Sequence, residues 1–248
     1  MRNLMKYEFR KTWAFKVLLL GAAVVAEIVF LIGLYGGLDR VLGVSVLLLT
    51  MLAICGVMVI GLGSVVQLYR DMNTKQSYML FMTPNSSYKI LGAKVFENGI
   101  SILLAGAFFF ALGALDITLL FAHEGQLEEL WNAIRQFLSQ IDSRITLDFS
   151  TMLTFVLSIL ASWISTVTCA YLGVVISTAL LNGKRGNGII SFLIIMALLW
   201  LSGFIELRAT ESIENVRTVF VAQSCIALVL SAVMYVLTAR IMETKLSV

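Results

Sequence analysis

The chain has 248 residues, 59% of them hydrophobic and only 13% charged, with a mean hydropathy of +0.93. Soluble domains average about 45 to 50% apolar and about 25% charged, so there are too few charges here to cover a water-facing surface, and the predicted solvent is lipid. The net charge of +3 arises from 18 basic residues scattered over several segments, which excludes the continuous basic stripe of a nucleic-acid binder.

Residues 1–16 open the chain with Met1, Met5, Phe9 and Trp13 at intervals of four and Arg2, Lys6 and Arg10 on the adjoining stripe. That pattern predicts an amphipathic helix lying on an anionic membrane face. The apolar run that follows is too long for a signal peptide and has no small-x-small cleavage site before Asp39, so it reads as a retained span. Hydrocarbon about 30 Å thick needs roughly 20 apolar helical residues. Six runs qualify: 17–38, 41–68, 100–121, 152–181, 189–205 and 219–239. The predicted fold is therefore an all-α integral membrane protein with six transmembrane helices in a single transmembrane domain. Cys55, Cys169 and Cys225 all lie inside these runs and read as small structural hydrophobes.

The first span carries Glu27 near its middle, where an ionisable side chain costs about 2.5 to 3.5 kcal/mol to insert and so should face a cavity or a partner rather than lipid. No Lys or Arg lies at similar depth, which leaves Gln67, Gln223, hydroxyls or a second subunit as partners and makes Glu27 a candidate for a substrate path or a subunit interface. Asp116, nearer the end of the third span, reads as structural. Between the second and third spans, residues 69–94 are too polar to cross the bilayer yet contain the apolar run Tyr78, Met79, Leu80, Phe81 and Met82. A short helix is expected there, stopping before Thr83-Pro84 because the residue preceding proline disfavours the helical region, with Ser86 or Ser87 capping a second helix that runs into the third span. Between the third and fourth spans, within 122–148, Leu127, Leu130, Trp131, Ile134, Phe137, Leu138 and Ile141 recur at helical spacing opposite Glu128, Glu129, Arg135 and Gln136. This is an amphipathic helix resting on the spans or on the lipid surface.

Positive loops stay cytoplasmic. With the N-terminus inside, 13 of the 18 Lys and Arg residues fall on the cytoplasmic side and 5 outside, the bias being carried by the N-terminal segment and the loop between the second and third spans. Both termini are expected to be cytoplasmic, and the 122–148 helix external.

Enzyme signatures fail. His123 is the single histidine and has no serine partner or second metal ligand nearby in the chain. The fragment Gly183-Lys184 has Thr178 where a P-loop needs its first glycine and Arg185 where it needs a hydroxyl, so the chain has no nucleotide-hydrolysing loop of its own.

The stretch Tyr69-Arg70-Asp71, followed by Met79-Leu80-Phe81-Met82-Thr83-Pro84-Asn85-Ser86-Ser87 and closed by Lys94, resembles the cytoplasmic loop of ABC-2-type transporter permeases. In that family an Asp after the second span, a Thr-Pro-x-Ser turn and a Lys entering the third span recur around a coupling helix. The resemblance implies an ABC exporter permease subunit in a cell membrane, a bacterial plasma membrane. It would work with a second permease copy or a homologous permease, and with separate cytoplasmic ABC ATPase subunits that carry ATP and Mg. No cofactor is implied on this chain. It also implies ATPase-coupling roles for Asp71, Tyr78, Met79, Leu80, Phe81, Met82, Thr83, Pro84 and Lys94. The long external insert after the third span, with only the short 206–217 connection between the fifth and sixth, departs from several members of the family. A secondary transporter, or a non-transporting accessory or immunity subunit of the same fold, are the alternatives.

Overall fold

The computed structural model describes residues 2–73, 86–142, 149–181, 187–213 and 215–246. All regular structure among them is helical: α1 (Arg2–Tyr35), α2 (Asp39–Asn73), α3 (Ser87–His123), α4 (Leu127–Asp142), α5 (Phe149–Leu181), α6 (Asn187–Thr210) and α7 (Val216–Ile241), the last continued by a π-helical turn, Met242–Leu246. Six of them, all but α4, are long and apolar enough to cross a membrane, which makes this a multi-pass membrane protein. Helices suit such a chain because hydrocarbon offers backbone N–H and C=O groups no partner except each other.

The helices differ from the sequence expectation mainly at their ends. The basic amphipathic start and the first span form one helix, Arg2–Tyr35, since neither glycine nor proline interrupts Arg2 to Leu20. It stops three residues before Leu38 because Gly37 adopts φ +62° and the Leu38 N–H returns to the Gly33 carbonyl. The end of α3 repeats the device. Gly125 has φ +71°, its N–H bonds the Ala122 carbonyl and the Gln126 N–H bonds the Phe121 carbonyl, completing a Schellman cap. At the other end of α3, the Ser86 carbonyl accepts from the N–H groups of Lys89 and Ile90. Both α2 and α3 run well past their apolar stretches, carrying Arg70, Asp71, Lys89, Lys94 and Glu97 in helical backbone. At the start of α7, the Asn215 side chain accepts from the Arg217 N–H at 3.0 Å.

The chain divides into two compact units, and α2 and α3 each contribute a segment to both. One unit comprises residues 1–5, 62–99 and 147–248. Its axis is α5, which packs most extensively on α7 and then on α6. In the most apolar stretch of α5 61% of residues are buried, against 11 to 33% in the other spans. Leu68, Met72, Leu91, Tyr171, Val175 and Met242 form its main core. Several hydroxyls along α5 are satisfied within the helix: Thr166 donates to the Ser162 carbonyl, Ser177 and Thr178 to the Val174 carbonyl, and Ser177 also meets the Ser191 hydroxyl of α6. Such back-bonding lets a helix rich in Ser and Thr be buried without water. The second unit comprises residues 6–61 and 100–146, with Ala26, Phe30, Leu34 and Leu49 at its core and Leu112, Leu119 and Leu120 packed against them.

Candidate functional site

Two polar inclusions interrupt the apolar interior, one in each unit. The first joins the end of α2 to the beginning of α3. Asp71 lies in the last turn of α2 and Lys94 about two turns into α3, and Lys94 Nζ donates to Asp71 Oδ2 at 2.8 Å. The two side chains are 6% and 2% exposed, so the ion pair is effectively out of solvent. One helical turn beyond Lys94, Asn98 Nδ2 donates to Ser64 Oγ at 2.8 Å, and Ser64 lies two turns before Asp71 on α2. The i, i+4 spacing on α3 and the i, i+7 spacing on α2 place each set on one helix face, so two antiparallel helices zip two polar contacts together. Trp163 of α5 completes the array by donating Nε1–H to Asn98 Oδ1 at 3.1 Å, while Glu97 is buried beside them in sequence. Tyr235 of α7 donates its hydroxyl to the Tyr88 carbonyl at 2.5 Å, tying the start of α3 to a fourth helix.

Removing either member of such a buried pair strands the other charge, which is the costly event in low dielectric. The clasp therefore holds the two helix ends that flank residues 74–85 as one body with α5 and α7. Of the residues singled out for ATPase coupling, Asp71 and Lys94 are brought into direct contact. Tyr78, Met79, Leu80, Phe81, Met82, Thr83 and Pro84 lie outside the described residues.

The second inclusion sets Glu27 of α1 beside Asp116 of α3, close enough for the two carboxyl groups to interact. Glu27 Oε2 and Asp116 Oδ1 are buried and have no hydrogen-bond partner. Gln223 lies close to Glu206, and Asp116, read as structural, is the group of this chain that neighbours Glu27. A signal for this pairing was present in the spacing. Glu27 stands eight residues before the end of α1 and Asp116 seven before the end of α3, and those ends meet through the edge-to-face rings of Tyr35 and His123, 5.7 Å apart. At 1.5 Å per residue the two carboxyls are at one depth. Lys16 and Ser101 join the same two helices elsewhere, Nζ to Oγ at 2.6 Å.

Asp116 also lines a half-open cavity of about 340 Å³ formed by α1, α2 and α3. Its walls are otherwise almost wholly apolar, including the rings of Phe30, Phe109 and Phe121. Among the described residues no group of three or more His, Cys, Asp or Glu side chains is placed to hold a metal ion. Set against models of known families, curated proteins and solved structures, the chain matches none.

Proposed function

We propose that this chain is the permease subunit of an ABC-2-type exporter, paired with a second permease and driven by separate cytoplasmic ATPase subunits that bind ATP and Mg and dock on residues 69–94. The observation that carries the reading is the Asp71–Lys94 clasp: a buried ion pair closing the base of the segment whose sequence resembles a coupling loop. A force applied to the 74–85 segment by a docked motor has a stiff path through this clasp into α2, α3 and, by Trp163 and Tyr235, into α5 and α7. The six membrane-crossing helices are the scaffold such a role needs. In this reading both termini and the 69–94 segment are cytoplasmic, as the 13 to 5 split of basic residues favours, and α4 lies outside.

Affinity purification of the wild-type chain in mild detergent tests the reading: an ABC ATPase should co-purify in stoichiometric amount, and its absence from a well-folded preparation would refute it. Orientation is checked separately with single cysteines replacing Gln76 and Gln136. Membrane-impermeant reagent added to intact cells should label position 136 and leave position 76 unlabelled.

A secondary transporter is the second reading, favoured by one observation, the Glu27–Asp116 carboxyl pair in the membrane-spanning region. Ion-coupled carriers place ionisable groups at such depths. Uptake or export that persists without ATP and follows an ion gradient would select it over the first.

A further inference from the structure

The cavity between α1, α2 and α3 combines three features that a lipid-filled crevice does not require. Asp116 stands in its wall, Glu27 interacts with it, and each carboxyl has one buried oxygen with no hydrogen-bond partner. Among the described residues no Lys, Arg or His lines the cavity, and hydrocarbon supplies no counter-ion, so the negative potential of the pair has no compensation from the walls. Two partly exposed phenylalanine rings, Phe109 and Phe121, share the same lining, and the fully buried Phe30 closes it from behind. Aromatic faces beside a carboxylate are the recognition chemistry of ammonium groups: the rings attract the cation through their quadrupoles and its substituents through apolar contact. The volume, about 340 Å³, lies at the lower end of the range of small-molecule pockets.

We propose that this cavity binds a lipophilic organic cation, an ammonium head carrying an apolar body, with Asp116 facing the charge and Phe109 and Phe121 beside it. Glu27 is a positioning residue, holding the Asp116 carboxyl at the cavity wall. Where the permease reading holds, such cations are its substrate class, but binding is a property of the purified chain and does not rest on that reading. Failure of binding and failure of ATPase co-purification are separate results.

The test is equilibrium binding of radiolabelled benzyltrimethylammonium to the full-length chain in lipid nanodiscs, with competition by neopentylbenzene, its neutral isostere of nearly the same shape. Binding should be saturable, poorly competed by the isostere, and weakened roughly tenfold or more by Asp116→Asn, the usual scale for loss of a charge-assisted contact. A second measurement covers the case in which that variant fails to fold. In the wild-type protein, benzyltrimethylammonium should slow modification of Asp116 by a hydrophobic carbodiimide, read by peptide mass spectrometry. Absence of saturable binding, equal competition by the neutral isostere, unchanged affinity in a folded Asp116→Asn protein, or a modification rate indifferent to the cation would each overturn the proposal. The carboxyls would then be a proton-sharing packing pair beside a lipid-filled groove.

Discussion

The two polar inclusions answer the same problem, ionisable side chains inside an apolar protein, in opposite ways. In one unit Asp71 is met by Lys94 at 2.8 Å, and further along the same two helices Ser64, Asn98 and Trp163 hydrogen-bond one another, so charge and hydrogen-bonding capacity are matched within the chain. In the other, Glu27 meets Asp116, a group of the same kind, next to open space. A matched pair fixes geometry and has little reason to exchange partners. A like-charged pair must hold a proton or admit a cation, because two adjacent carboxylates with no counter-charge repel in low dielectric. The first arrangement suits a mechanical joint and the second a site that something enters.

This contrast is broken most severely at Lys94. Lys94→Met leaves the Asp71 carboxylate buried without its partner and should destabilise the protein by about 3 to 5 kcal/mol. Adding Asp71→Leu should recover most of that loss, because the stranded charge disappears with it. Thermal unfolding monitored by detergent-solubilised monomer would show the double variant above the single one. Equal stability of the two would mean that the pair is not a unit.

Glu27→Lys sharpens the comparison by converting the second inclusion into a copy of the first. The new ammonium faces Asp116, so the protein should fold with unfolding temperature at or above wild type and lose benzyltrimethylammonium binding. Retained binding would show that the carboxyl pair does not supply the counter-charge. Glu27→Gln preserves shape and hydrogen bonding, and by the same logic should leave assembly intact while weakening the cation.

The smallest effect is expected at Trp163→Phe, which removes one hydrogen bond to Asn98 and keeps the apolar body of the ring. A loss of about 1 kcal/mol is expected. A much larger loss would mean that Trp163 fills space no phenyl ring can.

How much of this was legible in the sequence depends on what kind of signal each feature leaves. The six spans appear as apolar runs of about the bilayer's length because helices in lipid need little else. The extension of α2 was hidden by its own charges, since Arg70 and Asp71 look like loop residues to a hydropathy scan, whereas the helical run from Ser87 into the third span was expected from its serine cap. Such a scan scores residues singly and is blind to Asp71 and Lys94 neutralising each other across two helices. The unbroken α1 was obscured in a different way, since its amphipathic start invites a separate surface helix although nothing between Arg2 and Leu20 breaks the backbone. Glu27 stood out at once as a charge in need of a partner. Asp116 did not, because a search for a partner looks for opposite charge, and only the matched distances from Tyr35 and His123 place the two carboxyls level.

The central claim is that an ATPase docks on the segment between the two helix ends joined by the Asp71–Lys94 clasp, and the most direct measurement replaces apolar residues of that segment. Burying a side chain such as Phe81 or Met82 against a partner is worth roughly 1.5 to 3 kcal/mol. The Phe81→Ser, Met82→Ser double variant should remain inserted and monodisperse, with wild-type unfolding temperature, while ATPase co-purification and substrate-stimulated hydrolysis fall together. Normal co-purification and turnover by the folded double variant would contradict the docking assignment.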